Sequence, residues 1–286
     1  MTTAPTLVIG ATGNVGRQVA VQLTERELPV RALARRPEKA NLPASVEVVP
    51  GDLSDVDSLR AALRGVDSVF LMWPLMSRDP AEAIADTIAG SARRLVLLSS
   101  AAVRGDSDDA ISRVHRAVEE AIEHTSLEWT FLRPHGFATN TLGWASQIRE
   151  SGVVRGAYGS VYSTLIHEAD LAAVAVTALT SDGHVGAKYD LTGAAALTQV
   201  EQVRVIGEVI GRETRWEEVP REVARELLLQ RIPAEYADAM LDAFAHLASS
   251  EPDRPTSTVE EVTGVPARTF AQWVADHAAE FDPAAR

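Results

Sequence analysis

The sequence contains no cysteine, which excludes disulfides, thiol nucleophiles and thiolate metal sites. Lysine is almost missing: of 27 lysines and arginines, only Lys39 and Lys188 are lysine. Few positions are therefore left for a lysine-assisted proton relay. No apolar run approaches the ~20 residues of a membrane span. No basic, apolar leader precedes the first strand, so the expectation is a cytoplasmic protein without an export signal or a membrane partner. The formal net charge of −13 argues against a nucleic-acid partner held by phosphate neutralisation. Seven histidines show no HxxxH spacing and no GxSxG elbow occurs, so metal-dependent and serine hydrolysis find no support and no metal is expected.

What is present is an ordinary globular composition, 46% hydrophobic and 23% charged over 286 residues. That length suits one large domain or a core with a lobe. Strand and helix patterns alternate through the first half: strands at 7–9, 30–33, 46–49, 68–72, 95–98 and 129–132, with helices near 14–25, 56–63, 79–90 and 108–124. Apolar strands alternating with helices predict an α/β fold, a Rossmann doubly wound parallel sheet. After about residue 150 the pattern loosens. Short strands and loops are expected over 152–164, a strongly apolar helix over 169–179 and a strand at 189–191. Further on come a helix at 199–210, a strand at 214–219, helix over 221–248 broken at Pro233, a linker at 251–255 and a last helix near 267–279. The reading is a nucleotide domain over 1–150 with return segments near 165–193, and a smaller, discontinuous capping α/β lobe over 151–286.

The most informative stretch runs from Leu7 to Arg17, where an apolar strand enters glycines at 10, 13 and 16 and a helical pattern follows. Gly10 allows a tight turn, Gly13 lets backbone N–H groups approach a pyrophosphate, and Gly16 lets the helix pack on the strand. Thr12, Asn14 and Val15 complete this candidate phosphate-binding turn; a structural turn that binds nothing is the alternative. NAD-preferring folds of this type place a carboxylate about 20 residues on. Here stand Arg31, Arg35 and Arg36, so NADP(H) is expected over NAD(H), with Arg35 and Arg36 on the 2′-phosphate. Asp52 after the third strand is either an acceptor for an adenine amino group or a turn residue.

Proton transfer is where the sequence departs from expectation. A carbonyl reductase of this architecture carries a tyrosine with a lysine four residues on, and no such pair exists here. The corresponding helix holds His115 and Glu119, four apart and on one face. They are a surface pair, or His115 donates a proton with Glu119 orienting it. Ser99 at the end of the fifth strand and His135 after the sixth are further catalytic candidates. Trp73, Ser99 and Pro134 are candidates to border the cofactor, each with a plain packing or turn role as the alternative. Asn140 and His167 are weaker candidates.

These residues resemble the NmrA-like, atypical branch of the short-chain dehydrogenase/reductase superfamily. The matching segments are Gly10-Ala11-Thr12-Gly13-Asn14-Val15-Gly16-Arg17, Arg31–Arg35, Gly51-Asp52-Leu53, Leu132–Phe137, His167–Ala172, Tyr189–Gly193 and Thr263–Trp273. The resemblance implies an NAD(P)-binding Rossmann domain with a small C-terminal lobe, in a branch where the tyrosine–lysine pair is missing. It implies either reduction of quinones, azo compounds or other conjugated acceptors, or dinucleotide binding by a redox sensor that contacts a regulator protein. Hydride addition to a ketone leaves an alkoxide about as basic as hydroxide, with a conjugate-acid pKa near ~15.7. Addition to a quinone leaves a phenolate-type oxygen near ~10. The weak donors present favour the conjugated acceptor, a small-molecule substrate. A non-catalytic NADP(H) sensor and a non-redox isomerase or cyclase remain the alternatives, and a homodimer is compatible with each.

Overall fold

The computed structural model describes residues 4–75, 77–104, 109–249 and 253–284. Its residues form two compact units: Met1–His135 with Glu168–Leu191 and Thr258–Val265, and Gly136–His167 with Thr192–Ser257 and Pro266–Arg286. The first unit begins β1 (Thr6–Ile9), α1 (Asn14–Glu25), β2 (Val30–Ala34), β3 (Glu47–Pro50), α2 (Val56–Ala62) and β4 (Ser68–Met72). It continues α3 (Ala81–Ala89), β5 (Arg94–Leu98), α4 (Ala110–Glu123) and β6 (Glu128–Pro134). The second unit contributes α5 (Ala145–Ser151), β7 (Val153–Gly156) and β8 (Tyr162–Ser163). The chain then returns to the first unit with α6 (Glu168–Thr180) and β9 (Ala187–Leu191). The second unit resumes with β10 (Leu197–Thr198), α7 (Gln199–Ile210), β11 (Arg215–Glu218), α8 (Arg221–Leu229) and α9 (Ala234–Ala248). After α10 (Thr258–Thr263) in the first unit, α11 (Phe270–Asp276) and α12 (Ala278–Phe281) close the second.

In the first unit seven strands form one sheet in the order β3-β2-β1-β4-β5-β6-β9, each neighbouring pair parallel. The expected α/β Rossmann fold is present. The central strands read as apolar runs because both faces are covered. On one face Leu7, Leu71, Leu95 and Phe131 pack with Leu59, Ile84, Ile88, Val118 and Ile122 from α2, α3 and α4. On the other lie α1 and α6, joined by a 2.9 Å bond from Gln22 Nε2 to the Ala169 carbonyl. Buried Arg94 at the start of β5 donates to the carbonyls of Ala178, Leu179 and Ser181, so one cation satisfies the C-terminal end of α6.

The second unit pairs β7 with β11 in parallel and β8 with β10 in antiparallel fashion. Its core gathers Ile148, Val154, Val203, Ile206, Phe270, Trp273 and Phe281. The expected third strand is shifted by one residue, to Glu47–Pro50. The expected helix near 108–124 begins at Ala110, because Asp109 caps it by accepting the N–H groups of Ile111 and Ser112; residue 108 lies outside the described residues. The expected last helix begins after Thr269, where a capping box with Gln272 ends the extended approach, and it breaks at His277 into α11 and α12. Part of the expected linker, 251–252, also lies outside the described residues. Helices α5 and α10 were not expected: each is about two turns or less and buries one or two apolar residues, too little for a periodic signal.

Candidate active site

Strand order reverses between β1 and β4, and open parallel sheets bind ligands outside the carboxyl ends at that point. Gly10 leaves β1 with φ +91°, and a Cβ there would lie 2.9 Å from the Met72 Cβ at the end of β4. The chain turns back with the Gly13 N–H on the Gly10 carbonyl at 3.0 Å and starts α1 at Asn14. No side chain caps α1, and its first turn carries no acidic residue. Its first N–H groups are thus left for an anion, with the positive end of the helix dipole behind them. A Cβ on Gly16 would sit 2.2 Å from the Gly10 carbonyl oxygen, so Gly16 permits the close helix–strand contact; one on Gly13 meets only that oxygen at 3.4 Å. Thr12 and Asn14 are exposed on the turn, whereas the Val15 side chain is buried and only its N–H can serve a ligand. This cradle fits a dinucleotide pyrophosphate.

Past β2, Arg35 and Arg36 are exposed, and among the described residues neither guanidinium forms an ion pair. Arg31 differs. Its Nε meets Glu47 at 2.8 Å and its Nη1 donates to the Ala62 and Arg64 carbonyls, so it ties the sheet edge to α2. Asp52 Oδ1 accepts the backbone N–H and the hydroxyl of Ser54 at 2.9 and 2.8 Å. Those bonds, with a smaller contribution from Arg35, hold its carboxyl below the usual range. The turn role is thus filled, while Oδ2 has no partner among the described residues.

At the ends of β5 and β6 a buried network replaces the expected histidine–glutamate pair. Ser99 Oγ donates to Glu119 Oε1 at 2.6 Å, and Arg133 grips both carboxylate oxygens of Glu119. Glu119 therefore does not orient His115. The His115 Nδ1 is buried without a hydrogen-bond partner, and burial pushes the imidazole pKa down despite the attraction of Glu119 and Asp109. Burial thus disfavours a charge on His115, and the proton-donor or substrate-contact role expected of it lacks Glu119 as its orienting partner. The Ser99 proton is likewise committed to Glu119. His135 Nε2 lies 3.0 Å from Arg104 Nη2; since arginine only donates, the ring accepts there, and Arg104 also pairs with Asp190 at 3.0 Å. Trp73 is packed in the core with its indole N–H on the Ser77 carbonyl, and Pro134 is buried at the end of β6. In the second unit Asn140 is exposed and His167 Nε2 meets Asp276 at 3.2 Å. Arg133 was missed as a partner of Glu119. Its signal was a cation inside an apolar strand, which demands a buried counter-charge.

A family model described as NAD(P)H-binding matches residues 10–182. The (4-alkanoyl-5-oxo-2,5-dihydrofuran-3-yl)methyl phosphate reductase of Streptomyces griseus is 43% identical over 97% of this chain and 99% of its own. The NAD(P)H azoreductase of Xenophilus azovorans is 34% identical over the same shares. The NADPH complex of the Escherichia coli quinone oxidoreductase QOR2 has the same fold, with a TM-score of 0.82 and 23% identity over 96% of this chain and 99% of that one. The chain belongs to the NAD(P)H-binding family.

Proposed function

We propose that this protein is an NAD(P)H-dependent reductase of a small, electron-poor conjugated acceptor, of the enone, quinone or azo type. The observation that carries this reading is the set of polar groups at the ends of β5 and β6. The Ser99 hydroxyl is spent on Glu119, Arg104 covers His135, and burial disfavours a charge on His115. None of them is the strong acid that an alkoxide product requires. An enolate or phenolate oxygen is far less basic, near the ~10 of a phenol, so a hydrogen bond from an uncharged imidazole stabilises it and solvent at neutral pH supplies the proton. Two relatives above 30% identity are named for a conjugated lactone and an azo bond. Both substrates give delocalised anions on reduction.

Gly10, Gly13 and the first turn of α1 would hold the dinucleotide pyrophosphate, with Asn14 at its edge, and Arg35 and Arg36 would select NADP(H) over NAD(H). When bound, the reduced nicotinamide supplies the hydride. The Ser99–Glu119–Arg133 network keeps the β5 end rigid, and His115 offers a hydrogen bond to the oxygen that gains charge. The cytoplasm, with its pyridine-nucleotide pool, is the compartment this activity fits; among the described residues no helix is long and apolar enough to cross a membrane.

The test is oxidation of NADPH and of NADH with a panel of enones, quinones and azo dyes, alongside binding titrations of both nucleotides. Turnover with part of the panel is expected. Tight nucleotide binding without oxidation would return the sensor reading, with a regulator protein as partner. Product formed without net nucleotide consumption would return an isomerase or cyclase.

A further inference from the structure

Arg17 closes the glycine motif, and its backbone and side chain serve different segments of the first unit. It is half-buried in the first turn of α1, where its N–H donates to the Gly13 carbonyl at 3.0 Å. Its guanidinium leaves the helix for the loop after β2: Nη2 donates to the Ala40 carbonyl at 3.2 Å, and Nη1 to the Asn41 carbonyl. One residue thus fastens the candidate pyrophosphate turn to a segment 23 and 24 residues further on.

That segment carries Arg35 and Arg36. β2 ends at Ala34, whose carbonyl accepts the Gly51 N–H at 3.1 Å. A short 3₁₀ turn follows at Pro37–Lys39, in which the Arg36 carbonyl accepts the Lys39 N–H at 3.0 Å. The chain leaves it through Ala40, which is buried, and Asn41, at φ +44°. The 3₁₀ turn buries none of its own residues, so packing alone does not fix its shape. Among the described residues no backbone N–H reaches the Ala40 or Asn41 carbonyl. The two arginines are therefore pinned from the sheet side by Ala34 and from the far side by the Arg17 guanidinium.

We infer that Arg17 is a positioning residue for nucleotide choice: it holds the loop after β2 in the shape that presents Arg35 and Arg36 to a 2′-phosphate, without touching that group itself. The inference rests on the reading that these two arginines select NADP(H). A loop free to take several shapes binds more weakly, in proportion to the fraction of molecules in the competent one. That penalty falls on NADPH, because NADH lacks the group for which the loop must be arranged.

The experiment titrates NADPH and NADH into wild-type protein, Arg17→Met, Arg17→Lys and the double variant Arg35→Ala/Arg36→Ala, and follows amide hydrogen exchange in the nucleotide-free proteins. Arg17→Met keeps an apolar stem and removes every donor; it should weaken NADPH about 10-fold and NADH by no more than about 2-fold. Arg17→Lys, with a single ammonium in place of the fork, should recover part of the loss, and it carries the same readouts should the methionine variant not fold. In nucleotide-free Arg17→Met the Lys39 and Ala40 amides should exchange about 10-fold faster, while those of β1 and β4 stay protected. Placed in the background lacking both arginines, Arg17→Met should change NADPH affinity by no more than about 2-fold.

Equal weakening of both nucleotides, or unchanged exchange in the loop, overturns the inference. So does a full loss of NADPH affinity from Arg17→Met in the background lacking Arg35 and Arg36, which would mean that Arg17 meets the phosphate directly. If Arg35→Ala/Arg36→Ala leaves the ratio of the two affinities as in wild type, the phosphate reading falls and takes the inference with it. If that ratio collapses there but holds in Arg17→Met, the role of Arg17 falls alone.

Discussion

Glu119 on α4 holds the Arg133 guanidinium through both carboxylate oxygens, at 3.0 Å from Nε and 2.5 Å from Nη2, while His115 one turn earlier on the same helix goes unpaired. Both charged side chains are largely buried, 6% and 14% exposed. Removing one partner from a buried pair strands the other charge and costs about 3–5 kcal/mol, whereas replacing both by apolar groups is often close to neutral. Glu119→Leu and Arg133→Met should each lose about 3 kcal/mol in urea unfolding, the low end because Arg133 retains some solvent. The double variant should recover much of that loss. Losses that simply add would show that the two residues are not coupled.

His115 carries the pH prediction. Its folded pKa lies below the ordinary value of 6.5 because burial disfavours the imidazolium. The unfolded chain therefore binds a proton that the native state refuses. Stability from this group is fully present above about pH 6.5 and is lost as pH falls below it. His115→Gln should flatten the fall in unfolding free energy below about pH 6.5, leaving the share of His184, which burial also shifts down. A slope unchanged in the variant would contradict the buried, neutral assignment. In turnover, His115→Ala should cost roughly 10-fold, below the ~10²–10⁴ of a full general acid. His115→Gln, which keeps an N–H donor, should restore part of it.

The sheet was legible in the sequence because buried parallel strands are continuous apolar runs. Ser68–Met72 and the helices Asn14–Glu25 and Gln199–Ile210 lie at their expected bounds. The glycine turn was legible because glycine spacing encodes backbone geometry, and Gly10 does adopt positive φ. The proton-transfer end was not. Helical spacing places His115 and Glu119 on one face, but it is blind to a strand arriving from another part of the chain. Arg133 comes from β6, and a bidentate arginine outcompetes an imidazole for the same carboxylate. Arg31, Arg35 and Arg36 looked alike for a related reason, until pairing across the sheet edge separated Arg31 from the other two.

The glycine turn gives a prediction that separates folding from binding. Gly16→Ala should destabilise the fold, because its Cβ would lie 2.2 Å from a backbone oxygen that cannot move away. Gly13→Val should fold, since a Cβ there meets nothing nearer than 3.4 Å and the backbone has φ −88°. Its added bulk would stand over the first turn of α1, where the pyrophosphate is proposed to bind. Circular dichroism and a nucleotide titration on each variant decide the matter. A folded Gly13→Val protein that still binds NADPH at wild-type strength would remove the phosphate role of the turn.

Nucleotide choice is proposed to turn on Arg35 and Arg36, the exposed guanidinium pair beyond β2. NADPH differs from NADH only by the 2′-phosphate, so a contact with that group must appear in one titration and not in the other. A charge-assisted hydrogen bond is worth ~1.5–3 kcal/mol, or about 10- to 100-fold in Kd. Arg35→Ala should weaken NADPH by that factor and leave NADH within about 2-fold. Because the contact is partly open to solvent, the NADPH penalty should shrink as salt rises. Arg31→Ala is the control. Its bonds to Glu47, Ala62 and Arg64 are internal, so its loss should lower stability and spare discrimination between the two nucleotides. If Arg35→Ala weakens both nucleotides equally, the arginine shapes the turn after β2 and does not read the phosphate.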